Sequence, residues 1–187
     1  LSQCRGAQDD TLAGFCAARS IQYHEVPDHN GEECRDLLDS LSPDVLITAN
    51  TRIIVSPILA IPRVAGLNIH KSMLPRYAGI ESIFWALYHR EKEVGVTIHL
   101  LAEGLDTGNI MAQKSIPVGP KDTPETLDHK ADLEAGMLLA RVIAGLQAGT
   151  AQGIPQDHSK RTYFSWPTPT QRRELEEILS RQKPKDS

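Results

Sequence analysis

With 187 residues, 40% hydrophobic and 24% charged, the chain has the make-up of an ordinary globular protein, long enough for one sizeable core and too short for two. Its net charge of -4 and pI near 6.0 argue against a surface built to neutralise many phosphates, so nucleic acid is not the default partner. Cys4, Cys16 and Cys34 are odd in number and match no metal-ligand spacing, which reads as free thiols in a reducing cytoplasm; no apolar run nears the roughly 20 residues of a membrane span.

Residues 1–9 suggest no element. Leu12, Phe15, Cys16 and Ala17 share a face of a helix predicted over 10–18, capped by Asp9 or Asp10, and 21–26 alternates loosely as a short strand. Cys34, Leu37, Leu38 and Leu41 form the stripe of a second helix, with Asn30 as its cap. The near-continuous apolar run 45–49 has the look of a central parallel strand covered on both faces. A loop over 50–55 follows, then a short helix opened by Pro57 and stopped by Pro62.

Residues 67–70 read as the next strand, and Pro75 and Gly79 force an irregular loop after it. A helix over 80–88 turns Ile83, Phe84 and Leu87 inward; strands follow over 94–101 and 110–118, the latter near an edge because it carries Lys114 and Pro117. Asp122-Thr123-Pro124-Glu125 starts a long helix that Gly149 ends. The 151–168 tail is a wrapped extension, and Thr168-Pro169-Thr170-Gln171 is a capping box for a last helix. The chain therefore divides into an α/β domain over 1–150, a mainly parallel sheet with helices on both faces, and a C-terminal extension over 151–187.

Chemistry concentrates between Gly66 and Gly108. Two apolar runs end there on polar groups, so neighbouring strand ends can bring Asn68, His70 and Asp106 into one crevice. An amide that donates, an imidazole that moves protons near neutrality and a carboxylate that orients or charges it suit the formation and collapse of a tetrahedral oxyanion. No G-x-S-x-G elbow, H-E-x-x-H, paired C-x-x-C or Walker-type loop occurs, which leaves direct attack by the substrate's own nucleophile and supports no metal site. On spacing alone the plain readings stand beside this one. His70 could be a hydrogen-bonded residue at a strand end, His99 a structural residue in an apolar run, and Asp106 a turn former beside Thr107-Gly108.

Asn68-Ile69-His70-Lys71-Ser72-Met73-Leu74-Pro75, Gly95-Val96-Thr97-Ile98-His99 and Leu105-Asp106-Thr107-Gly108 together resemble the 10-formyltetrahydrofolate-dependent formyltransferase family, whose pattern is N-I-H-x-S-L-L-P, G-V-T-I-H and L-D-T-G. Met73 replaces Leu, Ala78 stands where many members have Arg, and Ser82 where many have Pro. Family members open with a βαβ unit of about 30 residues, and Leu1 enters after it, so the resemblance implies a Rossmann-like formyltransferase fold without that first unit. It also implies transfer of a formyl group from 10-formyltetrahydrofolate to a primary amine. Asn68 and a protonated His70 would hold the oxyanion, while Asp106 keeps His70 charged and moves the proton. By the same analogy the folate pterin is gripped by backbone at Arg52, Ile53, Ile54, Leu101, Ala102 and Glu103, and Ser72 belongs to the acceptor side. A small amine such as an amino sugar is favoured over tRNA as acceptor, in the cytoplasm, with no membrane partner and room for a homodimer. Hydrolysis of the same donor, or folate binding without catalysis, are the rival readings.

Overall fold

Val94, Val96 and Ile98 alternate with Gly95, Thr97 and His99 along one strand, and that two-residue period decides which side of the sheet becomes core and which carries polar groups. The computed structural model describes residues 11–182. In chain order the elements are α1 (Leu12–Ala17), α2 (Glu32–Leu41), β1 (Val45–Ala49), α3 (Ser56–Leu59), β2 (Ala65–His70), β3 (Ala78–Gly79), α4 (Ser82–Tyr88), β4 (Glu93–Leu100), β5 (Ile110–Pro117), α5 (Pro124–Gln147), β6 (Tyr163–Phe164) and α6 (Pro169–Gln182).

Strands pair in the order β1-β2-β4-β5. β1 and β2 are parallel, because the intervening 50–64 segment with α3 is long enough for a crossover. β2 with β4 and β4 with β5 are antiparallel. The α/β class holds, but the expectation of a mainly parallel sheet gives way to a mixed one: the 101–109 connection is too short to carry β5 back to a parallel start. β1, expected at the centre and covered on both faces, is the outer strand of the four, with Ile47 40% exposed.

Leu67, Val96, Ile98 and Ile116 meet Leu127, Ala131, Ala135, Leu138 and Val142 of α5 in the core. Those five helical positions recur every three or four residues and make one buried stripe. Thr123 caps α5 in a reciprocal capping box with Thr126, and Gly149 follows its end at φ 67, as the sequence predicts for the stop.

The earlier elements depart more from expectation. Thr11, whose side chain accepts from the Gly14 N–H, caps α1, while Asp9 and Asp10 lie outside the described residues. Residues 21–26 form no strand, since no neighbouring strand among the described residues takes up their backbone bonds. Gly31, not Asn30, precedes α2. Asn30 instead reaches across to the 50–55 loop: its Nδ2 donates to the Ile53 carbonyl at 2.8 Å and its Oδ1 accepts from the Val55 N–H at 3.0 Å. Cys16 and Cys34 are free thiols; Cys4 lies outside the described residues. Among the described residues no helix is long and apolar enough to cross a membrane.

The tail beyond residue 150 packs against the rest of the chain. β6 pairs in parallel with β3, Trp85 Nε1 donates to the Ser165 carbonyl at 2.9 Å, and Leu175 of α6 is 3% exposed within the main core. Gly79 makes the β3–β6 contact possible: it sits at φ 99, and a methyl there would overlap the Phe164 carbonyl oxygen. Gly79→Ala is expected to destabilise the fold by about 1–3 kcal/mol, read as a lower urea midpoint with an unchanged slope. An unaltered midpoint would mean that the tail is not held here.

Candidate functional site

Register brings the first site residues together. Thr48 lies opposite Asn68 across β1 and β2, and Asn68 lies opposite His99 across β2 and β4, so the three form one row on one face of the sheet. Thr48 Oγ1 donates to Asn68 Oδ1 at 2.7 Å, and Asn68 Nδ2 lies 3.1 Å from His99 Nε2. The Leu100 carbonyl, 2.8 Å from His99 Nδ1, can only accept. His99 therefore carries its proton on Nδ1 and offers Nε2 to the Asn68 amide. The row sets which end of the Asn68 amide points which way, and it leaves one Asn68 N–H for the cleft that Asn68 lines.

His70 is the next residue on the same face, 8% exposed. Its Nε2 lies 2.8 Å from the Tyr77 carbonyl and so donates, leaving Nδ1 on the side of Asp106. Asp106 arrives from elsewhere. Because β4 runs antiparallel to β2, its end lies beside the start of β2, with Leu67 opposite Leu100. The 101–109 loop then folds back over the sheet face, so the trio meets on a face rather than at neighbouring strand tips. Asp106 Oδ1 lies 3.7 Å from His70 Nδ1 and 3.6 Å from His99 Nε2, while Oδ2 accepts the Gly79 N–H at 2.8 Å.

Electrostatics follow from burial. Desolvation lowers the His70 pKa from its ordinary 6.5, outweighing the opposing pull of Asp106 and the Tyr77 carbonyl. His70 thus rests neutral near neutrality, whereas the resemblance implies a standing imidazolium; the cost of burying charge is the difference. For Asp106 burial works against the charge, but the imidazoles of His99 and His70 beside it and the Gly79 N–H that donates to it hold its carboxyl below the usual carboxylate range.

A pH dependence of stability follows. The unfolded chain protonates this histidine near 6.5 and the folded chain resists, so the unfolded state binds more protons below that pH. His70 therefore costs nothing above 6.5, and its penalty grows as pH falls until the folded imidazole also protonates, at most about 1.4 kcal/mol per pH unit. The Asp106 contribution is retained throughout this range, being lost only as pH falls below 3.8 and through the still lower folded value. Urea unfolding at pH 7.5 and 5.5, values on the order of one unit either side of the ordinary histidine pKa, is expected to show a larger loss in the native chain than in His70→Gln. Equal losses would refute the assignment.

Asn68, His70 and Asp106 line a cleft of about 880 Å³, together with Arg52, Ile53, Lys71 and Trp166. Lys71 is held by Asp128 and Asp132 of α5 at 2.7 and 2.8 Å. A narrower slot of about 40 Å³ adjoins it, lined by Arg52, Ile53, Ile54, Leu101 and Ala102, and touching Asn68, His99 and Asp106. Five of the six residues named for the pterin thus surround one hollow beside the trio; Glu103 is exposed and lines neither space. Ser72 is not brought to the cleft. It is buried, donates to the Arg76 carbonyl at 2.8 Å and lines a separate hollow with Met73, Arg76 and Tyr77. No group of His, Cys, Asp and Glu suited to holding a metal occurs among the described residues.

Sequence reasoning missed Thr48 and treated His99 as structural. The signal for His99 was present: Thr97 and His99 alternate with Val96 and Ile98, so they share the polar face. Thr48 left no such trace, because its role depends on cross-strand register.

Residues 8–143 match the family model described as formyl transferase. The methionyl-tRNA formyltransferase of Halalkalibacterium halodurans is 36% identical over 163 residues, covering 84% of this chain and 50% of that protein. That of Koribacter versatilis is 35% identical over 134 residues, covering 71% and 43%. The chain thus spans about half the length of these relatives. Among solved structures, the formyltransferase PseJ from Anoxybacillus kamchatkensis, in complex with UDP-4,6-dideoxy-4-formamido-L-AltNAc and tetrahydrofolate, superposes with a TM-score of 0.62 at 25% identity, covering 82% of this chain and 79% of that one. The N-formyltransferase from Helicobacter canadensis, bound to folinic acid and dTDP-3-aminofucose, gives 0.67 at 22% identity, covering 83% and 54%, a likeness of fold.

Proposed function

The chain belongs to the formyl transferase family, and from that membership we propose that it transfers a formyl group from 10-formyltetrahydrofolate to a primary amine. The observation that carries this reading is the meeting of Asn68, His70 and Asp106 on one wall of an open cleft. Tetrahydrofolate or folinic acid bound in the neighbours supports the donor. The slot between Arg52 to Ile54 and Leu101 to Ala102 is where the pterin edge enters; Arg52 and Ile53 line both spaces, so a folate seated there extends toward the trio.

In this mechanism the neutral acceptor amine attacks the formyl carbon. As the new C–N bond forms, the carbonyl oxygen takes the negative charge and accepts the free Asn68 N–H. His70 Nδ1, neutral at rest, takes the proton that the amine nitrogen loses. The resulting imidazolium lies beside the Asp106 carboxylate, 3.7 Å away, and faces the oxyanion. Collapse breaks the bond to the folate nitrogen, which receives the proton from His70. The products are a formamide and tetrahydrofolate, and no metal or redox step is needed.

For the acceptor we favour a small amine such as an amino sugar, on the chain's acidic balance and the sugar-nucleotide complexes among its structural neighbours. Methionyl-tRNA is the second reading, favoured by the relatives matched in sequence. The test incubates purified protein with 10-formyltetrahydrofolate and a panel containing nucleotide-linked amino sugars and methionyl-tRNA, against a His70→Ala control. Formamide product above the control is expected with the sugars. Formate released without any amine would make the protein a hydrolase; folate bound with no turnover would make it a binding module.

A further inference from the structure

The 103–108 loop carries Asp106 outside any strand, and its carbonyls are held by side chains rather than by a sheet ladder. Thr107 Oγ1 donates to the Gly104 carbonyl at 3.0 Å, and Arg161 Nη2 to the Leu105 carbonyl at 3.0 Å. Gln156 Nε2 donates twice, to the Asp106 carbonyl at 2.8 Å and to the Gly108 carbonyl at 2.7 Å. Two of these three residues come from the tail. Asp106 itself sits at φ 52, a left-handed conformation uncommon for side-chain-bearing residues, although Asp adopts it more readily than most. Its carboxylate is fixed at the other end by the Gly79 N–H, on the strand that the tail's β6 holds.

We propose that Gln156 is a positioning residue for Asp106: by bracing the carbonyls of Asp106 and Gly108 with one amide, it keeps the left-handed turn that aims the carboxylate between His70 and His99. Gln156 is 8% exposed and its amide oxygen has no hydrogen-bond partner. Burying an unpaired acceptor works against stability, so the two donated bonds are what this position contributes. The catalytic consequence rests on the formyl-transfer reading; the geometric one, Asp106 held against His70, does not.

The experiment compares Gln156→Met and Gln156→Leu, which lose both donors without adding a charge, with Gln113→Met. Gln113 also donates two bonds through Nε2, to the Leu74 carbonyl and the Thr97 hydroxyl, but makes neither of them to the 103–108 loop. The groups facing His70 are Asp106, which raises its pKa, and His99, which lowers it. Histidine-labelled protein is titrated by NMR, with the His70 signal assigned from His70→Gln. Loss of Gln156 lets the carboxylate drift away, so the His70 midpoint is expected to fall by at least about half a unit and to stay in place in Gln113→Met. With 10-formyltetrahydrofolate as donor, kcat is expected to fall about tenfold to a hundredfold, while the donor KM stays within about twofold. An unmoved His70 midpoint in either Gln156 variant, or the same movement in Gln113→Met, overturns the proposal. If the native chain transfers no formyl group, the function fails and the NMR titration still decides the fate of Gln156.

Discussion

Asn68→Ala is expected to lower kcat for formyl transfer by about 10²–10³, equivalent to roughly 2.7–4 kcal/mol of barrier, with little change in donor KM. The size follows from what the amide does. Its oxygen is spent on Thr48 and one N–H on His99, so the remaining N–H is aimed before the substrate arrives and needs no reorganisation when the oxyanion forms. An alanine at this site leaves the Thr48 hydroxyl and His99 Nε2 at the wall of the adjoining slot, where solvent can reach them through the space the amide vacates. The fold should therefore survive, and circular dichroism with the urea midpoint checks that it does. A kcat within about threefold of the native value would remove Asn68 from the oxyanion site, since even one ordinary oxyanion donor is worth far more.

His70→Ala is expected to cost about 10²–10⁴ in kcat, the range of a positioned general acid–base group. The pH profile makes the prediction more specific. His70 must be neutral to take the amine proton, so rate is lost as pH falls through its pKa, and burial places that pKa below the ordinary 6.5. The native acid limb is therefore expected to have its midpoint under 6.5 and to vanish from the residual activity of His70→Ala. A limb of the opposite sense, with rate lost as pH rises through the His70 pKa, would mean that the charged imidazole is the working form, as the family resemblance alone implies; an acid limb with its midpoint above 6.5 would contradict the depressed pKa. Asp106 acts through this same limb. Its carboxylate offsets part of the desolvation that depresses His70, and it stabilises the imidazolium during turnover.

The residues themselves announced much of the chemistry. Asn68-x-His70 ends an apolar run, Asp106 sits in a Leu-Asp-Thr-Gly turn, and neither pattern needs coordinates to be noticed. The helix ends at Thr123-Pro124, Gly149 and Thr168 to Gln171 were equally legible, because capping depends on residues within one turn of each other. Asn30 shows where such local reading stops: it has the side chain of a helix cap but bonds to Ile53 and Val55, more than twenty positions away.

Local periodicity and end chemistry were thus enough to locate the strands of the four-stranded sheet and the long helix, since each is encoded within a few neighbouring positions, whereas Asn68, His70 and Asp106 stood out from their plain readings only through the resemblance of three linked motifs. Strand direction, the Thr48–Asn68–His99 row, the exclusion of Ser72 and the bracing of Asp106 by Gln156 and Arg161 were settled only when distant segments met. Each depends on register or on a buried hydrogen bond between residues far apart along the chain. The resting charge of His70 belongs with them, because desolvation is a property of everything packed around a group and is written at no single position.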